Sequence, residues 1–548
     1  FTLHDALPIL FKKKSKMKKN LLFGIFMFAA ANLFAQASID NPFFDRVNFR
    51  GAFGSTDWTT GWTNFDPKST NYPATTTVIQ AGDITTNTTW TKNNVYLLNG
   101  WVYVKDGVTL TIEAGTIIRG DKTNKGSLII ERGAKLVANG TAAEPIVFTS
   151  NQSGTDRTYG DWGGIVICGK APINQPGGTA TIEGGVGAIY GGGLTPNAAD
   201  NSGSLQFVRI EFSGIAFQPN SEINGLTLGG VGSGTTLNNI QISYCGDDSF
   251  EWFGGNVNAK YLIAFRGWDD DFDTDNGFSG MVQFAVSLRD PQVADQSTSN
   301  GFESDNDSSG SENSPFTSAI FSNVSVFGPL STPSVVANTR YGRAAHYRRN
   351  IKMQFYNMVY AGWATGLLID GNTTQTNASN HSLRVRNSVV AGMNTPLDVP
   401  ALQTWTRQSI TDWYNTAAFN NIIMASNADL GIVDAFNLLS PKFTLTAGSV
   451  LHTGSYWALT GIFTPNSTSA HKLTIYPNPA TSEVMLELPE FSGFTSIQIT
   501  DLAGRTMISK SVKSVEMEAL NIADLRSGMY LIVARQGNNS YSQKLTVR

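Results

Sequence analysis

The chain has little of what most often staples, arms or charges a protein. Two cysteines, Cys168 and Cys245, make no disulfide framework and no Cys-x-x-Cys pair. Cys168 sits in the apolar run GGIVICG and Cys245 follows Tyr244 at the end of a strand pattern, so both read as isolated thiols behaving as small hydrophobes. The five histidines, His4, His346, His381, His452 and His471, fall in no metal-binding spacing and no triad. Charged residues make up 15% of the chain, against roughly 25% in an average domain. With 39 basic and 43 acidic residues and a net charge of −4, there is no basic footprint for nucleic acid. Beyond its start the chain has no long run with apolar residues at helical spacing, which argues against a helical fold.

Turn chemistry is abundant. The 54 glycines, with many Asn, Thr and Ser residues, point to turn-rich β structure in a chain long enough for several domains or one long solenoid. The scarce charge is also concentrated. Between Cys245 and Gly277 lie Asp247, Asp248, Glu251, Asp269, Asp270, Asp271, Asp273 and Asp275. A second acidic run follows with Glu303, Asp305, Asp307 and Glu312. Carboxylates this dense need neutralising, and a hard cation with oxygen ligands is the usual means.

The same stretch repeats. Ile240, Ile242, Tyr244, Gly246 and Asp248 recur 21 residues later as Tyr261, Ile263, Phe265, Gly267 and Asp269. Each copy is an alternating strand that ends in an acidic turn. A strand in every copy at a period of this size marks a solenoid, and it stacks the acids of neighbouring coils about 4.8 Å apart. A variant repeat appears as FYNMVYAG from Phe355, VRNSVVAG from Val385 and FNNIIMAS from Phe419. Its third place holds Asn357, Asn387 and Asn421, which are expected to stack at inside turns in a structural role. Successive copies must run parallel, and a parallel sheet without helices to cover it has to close on itself. The expected fold is all-β: a parallel β-helix of roughly a dozen coils over 95–460.

This body resembles the right-handed parallel β-helix proteins secreted by some Gram-negative bacteria, on GTIIRG, GDWGGIVICGKAPIN, EINGLTLGGVGSGT, DDSFEWFGGNVNAKYL, DDDFDTDNGFSG and GFESDND. The resemblance covers 95–330 well and 331–460 loosely. It implies the fold and assigns no reaction.

Residues 1–16 read as non-native upstream sequence. Residues 17–37 read as a signal peptide, with Lys18 and Lys19, a short apolar core and cleavage expected after Ala35 or Ala37. That core is shorter than the about 20 residues a spanning helix needs, so no membrane-spanning segment is expected in the mature protein. Residues 38–94, with Trp58, Trp62 and Phe65, are expected to cap the first coil. Residues 171–204 and 289–317 read as loops on the coil surface. A linker over 461–470 leads to a small Ig-like β-sandwich over 471–548. That sandwich resembles the C-terminal sorting domain of the type IX secretion system, on Tyr476-Pro477-Asn478-Pro479, Asp501 with Gly504, Gly528-Met529-Tyr530 and the terminal Arg548. The resemblance implies the type IX machinery as a partner, passage through the periplasm and outer membrane, and surface attachment or release.

For a metal, Asp269, Asp271, Asp273, Asp275, Glu303, Asp305 and Asp307 are the expected ligands, and Ca2+ is the expected ion because Mg2+ prefers fewer carboxylates. The run from Asp271 to Gly277 resembles an EF-hand opening, but its glycine comes one place late and no helices flank it. A solvated acidic loop is the alternative. Trp252, Trp268 and Phe272 beside the acids are candidate platforms for sugar rings. For catalysis, Asp247 and Asp248 supply paired carboxylates and Arg266 a base or an ion-pair partner. Glycosidases of the polygalacturonase kind carry Gly-His-Gly and Arg-Ile-Lys runs, and neither occurs here. The expected role is calcium-stabilised adhesion or glycan binding by a monomer. The alternatives are a calcium-dependent polysaccharide lyase or glycosidase, and a purely structural surface protein.

Overall fold

The computed structural model describes residues 37–218, 221–460, 473–487, 494–501, 506–513, 517–536 and 539–548. The segment 1–16, the signal peptide apart from Ala37, the linker 461–470 and Gly504 lie outside the described residues.

Strands of successive coils pair in parallel and in register, forming three ladders that run the length of a β-helix. The first passes through Thr88–Trp90, Thr109–Ile112 and Lys135–Asn139, then through the opening halves of the long strands, and ends at Arg384–Arg386. The second starts at Thr77, takes the closing halves of the same long strands, and ends at Ile422–Met424. The third runs through Ile165–Cys168, Leu226–Val231, Phe250–Gly255, Phe272–Asp275, Phe302–Ser304 and Arg343–Tyr347. Inward side chains alternate along each strand and meet in one continuous core that includes Leu110, Ile167, Ile240, Trp252, Phe272, Phe302 and Phe355.

A long strand serves two ladders because it bends once, at a residue with left-handed backbone. The bend falls at Phe207, Asn239, Tyr261, Phe284, Asn323, Asn357, Asn387 and Asn420, with φ between 47° and 60° at every one. Asn tolerates this conformation better than other side-chain-bearing residues. The asparagine column is therefore a bend requirement, and its third member is Asn420 rather than the expected Asn421. These side chains also bond outward to flanking segments. Asn323 Nδ2 donates to the carbonyls of Phe49 and Gly51, and Asn387 Nδ2 donates to that of Gly454.

The N-terminal segment differs from the expected end cap. Strand pairing begins at Thr77, a coil earlier than Val95. Residues 38–72 instead form a strap along the outside of the second ladder. Its bonds reach far along the chain: Asp45 with Gln283, Ala52 with Ser325, Asn64 with Gln241, and Tyr72 with Glu211. Ala52, Phe53 and Trp62 pack there on Phe265, Val286, Leu288 and Phe327. The second ladder is thus apolar on both faces, as buried parallel strands are. Arg50 ties the strap to the far end of the coil, donating to the carbonyls of Gly454 and Asn420, both at 2.9 Å. Two short helices, α1 (Asn372–Ser379) and α2 (Arg407–Tyr414), lie after the last long strands, and α2 turns Ile410, Trp413 and Tyr414 onto the core.

The C-terminal region forms a three-stranded and a four-stranded antiparallel sheet around their own core of Val484, Leu486, Ile497, Ile499, Ile532 and Leu545. This fits a small β-sandwich. The sorting motif is built into it. Asn478 Nδ2 donates to the Lys544 carbonyl at 2.7 Å, and Asn478 Oδ1 accepts from the Thr546 amide at 2.8 Å. Tyr476 and Pro477 close the first short strand, and Pro479 leads into Ala480 beside the last one. Asp501 pairs with Tyr530 in the strand opened by Gly528, and Tyr530 Oη donates to the Arg526 carbonyl.

Candidate cation site on the third face

The outer surface of the third ladder changes character along its length. Its earlier strands present Ile129, Val166 and Cys168, covered by a lid that includes Ile173, Ile182, Val186, Tyr190 and Ile223. From Phe250 onward the outward positions become acidic. Parallel register puts Glu251, Asp273, Glu303 and His346 in one column. Asp275 opens the neighbouring column on the same strand.

The turn before these strands adds a second set. Asp248 Oδ1 accepts the Asp270 amide at 2.7 Å, and Asp270 Oδ1 accepts the Asn300 amide. Asn300 Oδ1 then accepts the Arg343 amide at 3.1 Å. Each side chain therefore caps the backbone of the next coil through one oxygen, which leaves the second carboxylate oxygen of Asp248 and of Asp270 to face its neighbours. Asp247 and Asp269 sit one place outside.

The acids divide by their partners. Asp271 turns inward and meets Arg289, whose Nε donates to Asp271 Oδ2 at 3.0 Å with neither side chain exposed. Glu303 and Asp305 share Arg348, and Arg349 also reaches Asp305. Asp370 takes His346. Asp307 ties down its own loop through Ser309 and Ser311. None of Asp247, Asp248, Glu251, Asp269, Asp270 and Asp273 has an ion-pair partner within 4 Å among the described residues. Glu183, from the lid, joins them through Asn224, whose Nδ2 donates to both Glu183 and Glu251.

Two groups of three bring one carboxylate oxygen each to within 4.8 Å of the others: Asp247, Asp248 and Asp269, and then Asp248, Glu251 and Asp273. They share Asp248. Burial pushes Asp247, Asp248, Glu251, Asp269 and Asp273 well above the usual carboxylate range, and repulsion from neighbouring carboxylates pushes the same way. Asp269 keeps one buried oxygen without a hydrogen-bond partner, while Ser297 serves the other. Such a set could hold a hard cation, which takes carboxylate oxygens and neutralises their mutual repulsion.

The structure brings together Asp269 and Asp273 from the expected ligands, and adds Asp247, Asp248 and Glu251. Asp271, Asp275, Glu303, Asp305 and Asp307 fall outside both triplets, and Asp271, Glu303 and Asp305 are held in ion pairs of their own. The reason is local: alternation holds only within Phe272–Asp275, while Asp269, Asp270 and Asp271 lie in a turn. Trp252 and Phe272, expected as sugar platforms, are wholly buried in the coil and stack on Phe250. Trp268 alone of the three is open, at 37% exposure, and packs edge-on against Tyr159. Arg266 pairs with Asp290 and lies over the Tyr244 ring, so it serves neither carboxylate group. Glu183 and Asn224 had no signal in the sequence, since they arrive from a separate lid.

A model of the pectate-lyase-like β-helix domain matches residues 82–430. The chain belongs to this family of β-helices. A second model, the secretion system C-terminal sorting domain, matches residues 474–548. This β-helix protein is therefore handled by the type IX machinery and exported through the outer membrane, to the cell surface or beyond. No curated protein matches the sequence. Among solved structures it is similar to the full-length tailspike protein 2 (TSP2, ORF211) from Escherichia coli O157:H7 bacteriophage CAB120, at 9% identity and a TM-score of 0.21. That match covers 82% of this chain and 64% of the tailspike chain. Among the described residues no helix is long and apolar enough to cross a membrane.

Proposed function

We propose that this exported β-helix takes up calcium on its third face and uses the calcium-loaded face in adhesion or glycan binding. The observation that carries the reading is the pair of carboxylate triplets sharing Asp248, with no ion-pair partner within 4 Å among the described residues. Two like charges 4 Å apart repel by about 4 kcal/mol at an effective dielectric of 20, so the ionised cluster needs a cation. Calcium accepts six to eight oxygens in flexible geometry and suits a carboxylate-rich site better than magnesium does. A triplet supplies three of the six to eight oxygens that calcium takes, so hydroxyl or carboxylate oxygens of a glycan would complete its coordination.

Isothermal titration with Ca2+ and then Mg2+ tests the first step. Calcium binding that magnesium does not match supports the reading, and absence of any heat with Ca2+ overturns it. Retention of polysaccharide on the immobilised protein, with Ca2+ and with chelator, tests the second.

A calcium-dependent polysaccharide lyase is the second reading, favoured by the position of Arg348. It stands on the same face beside Glu303 and Asp305, and burial followed by the Arg349 charge lowers its pKa from the usual arginine range. A lyase needs a basic group close to a metal-bound uronate. Unsaturated product from polygalacturonate, stopped by chelator and lost in Arg348→Lys, is the result this reading requires.

A further inference from the structure

On the second ladder, away from the acidic face, the bend column contains an anomaly. Most bends hold Asn, but two consecutive coils place Tyr261 and Phe284 there, at φ 60° and 59°. A bulky aromatic residue in left-handed backbone is an uncommon and strained choice. The two rings stack on each other, with centroids 5.2 Å apart and planes 15° apart. They form part of the wall of a cavity of about 410 Å3 beneath the strap. Trp58 meets the Tyr261 ring edge-on, and Phe49 flanks Phe284 at 6.3 Å. Gly54 leaves room for Phe49, since a β-carbon there would lie 2.9 Å from its ring.

The polar groups of the cavity include no carboxylate, arginine or lysine. Asn48, Ser55 and Thr56 line it, and their side chains have no hydrogen-bond partner among the described residues. His452 Nε2 donates to the Thr446 carbonyl at 2.9 Å, and Nδ1 is the other polar atom of this ring in the lining. The site contains aromatic faces and a rim of amide, hydroxyl and imidazole groups, with no carboxylate, arginine or lysine. Its volume falls within the roughly 300–1,000 Å3 of small-molecule sites.

We infer that this cavity is a binding site for a neutral pyranose unit of a glycan, held by the aromatic wall of Tyr261, Phe284, Trp58 and Phe49 with its hydroxyls at the polar rim. A sugar ring presents axial C–H bonds to an aromatic wall and hydroxyls at its edge, which matches both halves of the lining. The strain at the two bends is then retained for the ligand rather than for the coil. The bends at Asn239, Asn323, Asn357, Asn387 and Asn420 use Asn and keep the fold, and Phe207, the remaining aromatic bend, is met edge-on by Trp62 away from this cavity.

The test titrates the whole purified chain with cellohexaose, maltohexaose, laminarihexaose and mannohexaose, and with hexagalacturonate as the charged comparison. Binding is read by calorimetry and by Trp58 fluorescence, in Ca2+ and in chelator. Saturable binding of at least one neutral probe, persisting in chelator, is expected. Tyr261→Asn substitutes the residue that other bends use, and should weaken binding at least tenfold with a folded circular-dichroism spectrum. If that variant does not fold, Ser55→Trp at the exposed rim fills the mouth and should abolish binding. No binding of any neutral probe, tighter binding of hexagalacturonate, or unchanged affinity in a folded variant overturns the inference. Because the readout persists in chelator, its failure is separable from failure of the calcium site.

Discussion

Arg289 and Asp271 form a fully buried ion pair one layer beneath the acidic face, with Nε donating to Oδ2 at 3.0 Å. Arg289 also donates to the carbonyls of Gly267 and Asn300, so one guanidinium ties the connection that holds Gly267 and Asp271 to its own, which holds Asn300. Removing one member of such a pair strands the other charge without water. Arg289→Met should therefore destabilise the chain by about 3–5 kcal/mol. The loss should be the same in calcium and in chelator, as measured by denaturant unfolding. Equal stability of variant and parent would mean that water reaches the pair.

Asp248 lies in both carboxylate triplets, so its variant should behave in the opposite way. In the calcium-free chain Asp248→Asn removes one of several repelling, desolvated charges, and the amide oxygen can still accept from the Asp270 amide. The melting temperature in chelator should stay level or rise. The increment that saturating Ca2+ gives the parent should vanish. For a parent at 100 times its dissociation constant that increment is about 2.7 kcal/mol. A variant that loses stability in chelator and keeps the increment would remove Asp248 from the site.

The coil and the sorting sandwich were legible in the sequence because both are written locally. Alternation, closing glycines and the recurrence after Ile240 specify strand, turn and stacking together, but the coils pair Ile240 with Leu262 and Ile242 with Ala264, 22 residues on and one place from the 21-residue register of the sequence, so Ile263 and Phe265 face the strap instead of the core. Acid density was legible as well. Which acids meet was not, since that depends on the direction each turn residue takes. Asp271 looks like a member of the series Asp269, Asp271, Asp273, Asp275, yet Arg289 on the following coil draws it inward. The strap was illegible for another reason. Its partners, such as Gln283 for Asp45 and Gln241 for Asn64, lie far along the chain and leave no periodic mark near residue 50. Nor did anything local distinguish Tyr261 and Phe284 from ordinary alternating strand residues.

The pH dependence of the calcium-free chain follows from the same cluster. Burial raises Asp275 to about 6, Asp271 to about 7 and Asp305 to about 8, against an ordinary Asp value of 3.8, and raises the triplet acids as well. Raised folded values mean that the native state holds protons which the unfolded chain releases. Their contribution is full below pH ~4 and is lost as pH rises toward ~8. Without calcium, stability should fall across that window. Calcium binds the deprotonated form, so its stabilising increment should grow over the same range. Scanning calorimetry from pH 4.5 to 8.5 in chelator and in Ca2+ checks both slopes. Parallel curves would show that the carboxylates titrate independently of the ion.

The two tryptophans near the acids should separate folding from binding. Trp252 is fully buried and stacks between Phe250 and Phe278, so Trp252→Ala should lose about 3–5 kcal/mol of stability through cavity formation. Trp268 is the open ring beside Asp269, and Trp268→Ala should change stability by no more than about 0.5 kcal/mol. If the calcium-loaded face grips glycan, Trp268 is the ring placed to stack on it, a contribution of about 0.5–1.5 kcal/mol. That corresponds to a roughly two- to tenfold loss of affinity in the variant. Retention on an immobilised-polysaccharide column in Ca2+ measures it, with the calcium increment as the control. An unchanged affinity alongside an intact increment would assign the grip to the ion and its carboxylates and leave the ring no part in it.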